Sequence, residues 1–213
     1  MGENMGSSES SVVISLFPTL VWKQQLPIAE HEAHRATLFA VLCAGPSPMP
    51  QLSSGDSWQS GTALHRCPEL RPLVARFERT AEAVLASLHI GETRLRVTGC
   101  WANANAPGAS HPVHHHPNNF LSGVYYAQVG PGADTINFHD PRPQTGIIRP
   151  PVTELSAENT DQVVVRVECG TLLLFPAYLE HSVGPNQSAD VRISVSFNAM
   201  FTDYAETISP PQW

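Results

Sequence analysis

Four histidines fall between positions 111 and 116, in the run SHPVHHHPNNFLSGVYY. An imidazole nitrogen suits iron, zinc, copper or nickel, so a cluster of them is first of all a metal-site question. On an extended backbone residues i and i+2 share a face. His114 and His116 therefore project together and His115 projects to the other side. Two imidazoles on one face make half of a mononuclear site, and the third ligand must come from elsewhere in the chain. His181 is the best candidate, because it closes GTLLLFPAYLEH, an apolar strand that ends at a proline and a short turn. His111 competes, as does His115 with Pro117 and Asn118; adjacent histidines also occur on solvated turns with no ligand role. His139, in INFHDPRP, reads as a strand end with a structural role.

A second constellation follows the third histidine. Gly184, Pro185 and Asn186 make a turn, and RISVSFN then alternates as a strand. Arg192, Ser194, Ser196 and Asn198 share one face; Ile193, Val195 and Phe197 share the other. A guanidinium with a hydroxyl two residues on is suited to a carboxylate, since arginine offers a planar fork of donors. The bland alternative is a solvated arginine on a surface strand.

Those residues need strands to hold them, and the chain supplies them after a helical first half. Val12 to Trp22 is a β-rich run interrupted by Pro18 and reads as an edge strand or two short ones. Residues 28–42 have helical character. Cys43 to Gly61 is rich in Pro, Gly and Ser and reads as a loop, with Trp58 as its anchor or as part of a pocket wall. Glu69 to His89 is the clearest helix: Leu70, Leu73, Phe77, Ala81, Val84, Leu85 and Leu88 recur at three- and four-residue steps, with Gly91 as the stop. From position 93 the texture changes to short β runs: 94–101, 113–129, 135–139, 162–168, 171–176 and 191–201. The expected fold is an all-β core with flanking helices, a double-stranded β-helix (jelly roll, cupin-like) with an α-rich N-terminal half. Residues 1–11 read as a disordered tail and 12–213 as one jelly-roll domain, α-rich over 12–92 and β-helical over 93–201.

Composition removes several function classes. The 213 residues carry 12 Lys plus Arg against 19 Asp plus Glu, a net charge of −7, and no basic run, so nucleic-acid binding is not expected. The hydrophobic share of 42% is enough for a real core. Cys43, Cys67, Cys100 and Cys169 form no CxxC pair, which fits free thiols in a reducing cytoplasm. The start lacks the pattern of a signal peptide, its Met1-Gly2 with Ser7 is a weak match to a myristoylation site, and no apolar run approaches a membrane span. A soluble cytoplasmic protein is expected. Exposed jelly-roll edges often pair, which admits a homodimer.

Four blocks resemble the 2-oxoglutarate/Fe(II)-dependent oxygenase superfamily, and within it a bacterial and phage group. They are WANANAPGASHPVHHHPNNFLSGVYY (101–126), INFHDPRP (136–143), GTLLLFPAYLEHSVGPN (170–186) and RISVSFN (192–198), and the region they span is nearly half the chain. SLFPTLVW near the start also looks like the opening of that group. The resemblance implies an oxidoreductase of the dioxygenase type that holds Fe(II) and 2-oxoglutarate. Residue by residue, it implies that His114 and His181 are the first and last metal ligands, that Arg192 with Ser194 clamps the far carboxylate of 2-oxoglutarate, and that Tyr125 helps to hold it. Asn103 and Asn105 are expected to line the site, and Trp58 and Trp101 the substrate mouth. The departure is position 116, where the superfamily carries a carboxylate and this chain carries His116. Asp140 could supply a carboxylate, although DPR reads as a loop lock between Asp140 and Arg142. Two rivals stand beside this expectation: a three-His cupin-like dioxygenase without 2-oxoglutarate, and a non-catalytic metal-binding jelly-roll module. The substrate, a small molecule or a peptide, is not legible in the sequence.

Overall fold

The alternation of RISVSFN is realised in β10 (Arg192–Phe201), whose outward residues are apolar and whose inward residues carry polar groups. A computed structural model describes residues 12–45, 48–91, 94–142, 148 and 150–207. Its ten described strands are β1 (Trp22–Gln25), β2 (Ser57–Gln59), β3 (Leu95–Asn105), β4 (His111–His114), β5 (Leu121–Gln128), β6 (Thr135–His139), β7 (Gln162–Arg166), β8 (Thr171–Pro176), β9 (His181–Val183) and β10. Helices α1 (Ile28–Ala44) and α2 (Arg71–Ser87) precede the main run of strands, and α3 (Thr202–Thr207) follows it. A six-stranded sheet in the order β1-β8-β5-β10-β3-β2 faces a four-stranded sheet in the order β4-β9-β6-β7. The strand pairings are antiparallel. This is the expected jelly roll with flanking helices, two sheets that do not close into a barrel.

Period-two alternation sorts the large sheet's side chains into two cores. Tyr125, Leu172, Leu174, Val195 and Phe197 point outward and pack with Leu38, Leu73, Phe77, Ala81 and Val84 of the helices. Phe77 and Phe197 stack with ring centroids 4.1 Å apart. Tyr126, Leu173 and Phe175 point inward and meet Ile136, Phe138 and Leu179 between the sheets. Gly123 sits where β5 passes under the Phe197 ring, and a Cβ there would collide with that ring. The glycine of SGVYY is thus a packing requirement of the outer core.

Several elements differ from the sequence reading. The stretch 12–20 forms no strand; Val12 is 84% and Phe17 94% exposed, and sheet pairing starts only at Trp22. Pro18 lacks a ladder donor and Phe17 sits at φ 54°, which breaks extension there. The long run 113–129 is two strands in different sheets, β4 and β5, separated by a turn with Asn118 at φ 59°. Strand β2 lies inside the region read as loop. Helix α2 is stopped by His89, not by Gly91: His89 has φ 54°, its N–H bonds to Ala86 O, and the Ile90 N–H bonds to Leu85 O, a Schellman closure with a non-glycine residue. The tail 1–11 lies outside the described residues.

Candidate metal centre and carboxylate pocket

His114 and His181 are direct cross-strand partners on β4 and β9, with ring centroids 4.2 Å apart. His116 lies just past the end of β4, not on it as the i, i+2 argument supposed. Its N–H bonds to Ala177 O at 2.9 Å, which keeps the chain extended for two more residues and brings the ring back to the same side. The His116 ring is 5.1 Å from that of His114 and 5.3 Å from that of His181. One ligand nitrogen from each of the three histidines falls within 4.8 Å of the others.

Hydrogen bonds fix which nitrogens face inward. His114 Nδ1 donates to Pro112 O at 2.9 Å, and His181 Nδ1 donates to Leu179 O at 2.9 Å. A carbonyl can only accept, so each Nδ1 carries the proton and each Nε2 keeps a lone pair. This is the arrangement by which backbone carbonyls orient metal-binding imidazoles. Burial, with the nearby His114 charge, pushes His181 down to about 3 and His116 down to about 4. Both rings are therefore neutral at pH 7, the form that ligates. The donor set fits a borderline or divalent transition metal such as iron(II).

A cavity of about 290 Å³ opens on the triad. The β10–β3 register puts its polar wall in order: Arg192 opposite Asn105, Ser194 opposite Asn103, Ser196 opposite Trp101. Rows two residues apart on a strand are roughly 6.6 Å apart, so Arg192 and Trp101 mark ends about 13 Å from each other. His116 belongs to the Trp101 end, with ring centroids 5.6 Å apart. Arg192 is 3% exposed and lies over the Tyr126 ring at 5.2 Å, yet its Nε and Nη1 bond to no protein group. The buried Tyr126 hydroxyl lies beside Arg192 and meets no partner at full hydrogen-bond geometry. Burial pushes the Tyr126 phenol up, against the opposing pull of Arg192, so it keeps its proton as a donor. A buried cation without a hydrogen-bonded counter-charge costs several kcal/mol. Donors left open in this geometry fit a carboxylate.

The sequence candidates divide accordingly. Arg192, Ser194, Asn103, Asn105 and Trp101 line the cavity beside the three histidines, and Asn103 Nδ2 donates to Ser196 Oγ at 3.0 Å. Tyr125 does not. It sits on the opposite face of β5, where its hydroxyl bonds to His31 Nδ1 at 2.7 Å, and Tyr126 takes the inward position. Two adjacent tyrosines cannot share a face, and the sequence alone did not fix which one turned in. Trp58 also turns away. It pairs with Ala104, an outward residue of β3, and packs on the helical core, while its neighbour Gln59 reaches the cavity. His111 and His115 line the cavity as well. His139 Nε2 bonds to Ser182 Oγ at 2.9 Å, and Asp140 is locked to Arg142 through an Nε–Oδ1 bond of 2.9 Å, so neither joins the triad.

The described residues set three histidines and a buried arginine around one cavity of a double-stranded β-helix. Residues 99–198 match the model of the family described as "Putative 2OG-Fe(II) oxygenase". Its members are oxidoreductases that use iron(II) and 2-oxoglutarate. No curated protein matches the sequence. Solved structures of the same fold include SnoN, a non-heme alpha ketoglutarate dependent epimerase of nogalamycin biosynthesis, at TM-score 0.61 and 18% identity, covering 85% of this chain and 78% of that one. AviO1 from Streptomyces viridochromogenes Tue57 superposes at TM-score 0.62 and 15% identity, covering 91% and 93%. HygX from Streptomyces hygroscopicus, solved with nickel, 2-oxoglutarate and hygromycin B, gives TM-score 0.57 and 14% identity, covering 86% and 84%. Among the described residues no helix is long and apolar enough to cross a membrane.

Proposed function

We propose that this chain is an iron(II)- and 2-oxoglutarate-dependent oxygenase acting on a small molecule, with His114, His116 and His181 as the metal ligands. The observation that carries the reading is the buried Arg192 guanidinium, with the Tyr126 hydroxyl beside it, open in the same cavity as the three imidazoles. Iron(II) with 2-oxoglutarate supplies oxygen activation coupled to loss of carbon dioxide and formation of succinate. The residues of this chain do the rest. His114 and His181 are oriented by Pro112 O and Leu179 O, so their lone pairs converge without rearrangement. Arg192, Ser194 and Tyr126 hold the distal carboxylate and fix which end of the co-substrate faces the histidines. Asn105, opposite Arg192, lines the same end. Trp101 closes the other side against His116 and limits water there.

In this reading residues 12–213 are one domain, α-rich over 12–92 with its β-helix over 93–201. The four cysteines are free thiols, which supports a reducing cytoplasmic setting. Nucleic acid is not a partner, as the chain has no basic run. A homodimer would use exposed sheet edges. Equilibrium dialysis under anaerobic conditions tests the ligand set. The expected result is one iron(II) per chain, lost in His114→Ala, His116→Ala and His181→Ala. Full iron affinity in His116→Ala would remove that residue from the set.

A further inference from the structure

The end of the cavity away from Arg192 carries information about the substrate, and reading it rests on the oxygenase assignment above. Among the described residues, no acid and no lysine lines the cavity, and Arg192 is its one arginine. Glu180, next to His181 in sequence, and Asp140, bound by Arg142, both lie outside the lining. Position 116 supplies a neutral imidazole to the metal. A metal dication and Arg192 bring three positive charges, and a bound 2-oxoglutarate brings two negative ones. The loaded site keeps one positive charge that no charged side chain among the described lining residues cancels. At an effective dielectric of 20, a unit charge about 8 Å away changes a binding constant roughly thirtyfold.

The wall at that end matches the charge. Trp101 gives a flat apolar surface. Ser196 Oγ already accepts from Asn103, which leaves its own hydrogen to donate elsewhere. The side chains of Gln59 and Thr62 line the cavity, and both carry N–H or O–H donors. We propose that the Trp101 end takes a small carboxylic acid with a flat apolar body, held by Gln59, Thr62 and Ser196, and that it rejects amines. The ring lies on Trp101, the carboxylate meets the three donors, and the surplus positive charge of the loaded site attracts it.

The test uses the protein loaded anaerobically with iron(II) and 2-oxoglutarate, followed by its visible charge-transfer band and by calorimetry. Phenylacetate, phenylacetamide and phenethylammonium are titrated as probes of near-equal shape. With the band retained, phenylacetate is expected to bind about tenfold more tightly than phenylacetamide, and phenethylammonium not to bind. The double variant Gln59→Leu/Thr62→Val is expected to weaken phenylacetate about tenfold while the band persists. Phenethylammonium binding as well as phenylacetate, none of the three binding at millimolar concentration, or unchanged phenylacetate affinity in the double variant would each overturn the proposal. Failure of the band to form at all would instead count against the oxygenase reading, so the two failures are told apart.

Discussion

The two faces of β10 belong to the same ten residues and do opposite work. Outward, Ile193, Val195 and Phe197 are fully buried against the helices and make the larger core. Inward, Arg192 and Ser194 are equally hidden, but the arginine leaves two nitrogens unsatisfied. The outward face stabilises the fold; the inward face holds a destabilising charge ready for a ligand. Stability and binding should therefore separate cleanly between odd and even positions of one strand.

The sharpest way to break that contrast is at its two best-placed residues. Phe197→Ala should cost about 3–5 kcal/mol of unfolding free energy, measured by denaturant titration, because the Phe77 stack and the roof over Gly123 go with it. Arg192→Leu should leave stability unchanged or raise it, yet weaken 2-oxoglutarate about 10- to 100-fold by calorimetry. A loss of stability in Arg192→Leu to match that of Phe197→Ala would erase the distinction. The adjacent tyrosines repeat the comparison on β5 at smaller scale. Tyr125→Phe should lose about 1 kcal/mol of stability with its bond to His31, and bind the co-substrate normally. Tyr126→Phe should keep its stability and bind 2-oxoglutarate several-fold more weakly.

Acid acts on the inward face through the histidines. The unfolded chain protonates His116 and His181 near the ordinary value of 6.5, while the fold resists until about 4 and about 3. The unfolded state therefore binds more protons over that window, and the stability of the metal-free protein should fall as pH drops from 6.5 toward 4. His116→Ala should make that fall shallower in a pH series of thermal melts. A change outside the cavity lining completes the series: His89→Gly should add about 1 kcal/mol, since it relieves a left-handed position at the end of α2.

Much of this was legible before any coordinates. Helix α2 announced itself because seven apolar residues at helical spacing leave few alternatives, and β10 did so because its alternation is strict. The triad was legible because three imidazoles are rare enough to be noticed. What failed shares one physical cause. The resemblance puts Tyr125 beside the co-substrate and Trp58 at the mouth, and the structure turns both away, because a strand's parity is set by its neighbours. For β5 that means β10, in the pairing of Ser194 with Tyr126 and past an irregularity next to Ile193. For β2 it means Ala104. The stretch 12–20 has strand composition, but no partner strand claims it. Gln59 and Thr62 carried no sequence signal, being polar residues in a Gly- and Ser-rich stretch that only the fold brings to the cavity.

The central claim is that three imidazoles and one open arginine hold iron(II) and 2-oxoglutarate together. It is tested most directly by adding iron(II) and then 2-oxoglutarate to the metal-free protein without oxygen and recording the visible spectrum. The account predicts a charge-transfer band that needs both additions, vanishes in His181→Ala, and requires much more 2-oxoglutarate in Arg192→Leu. Iron bound by the triad with no band at any 2-oxoglutarate concentration would contradict it.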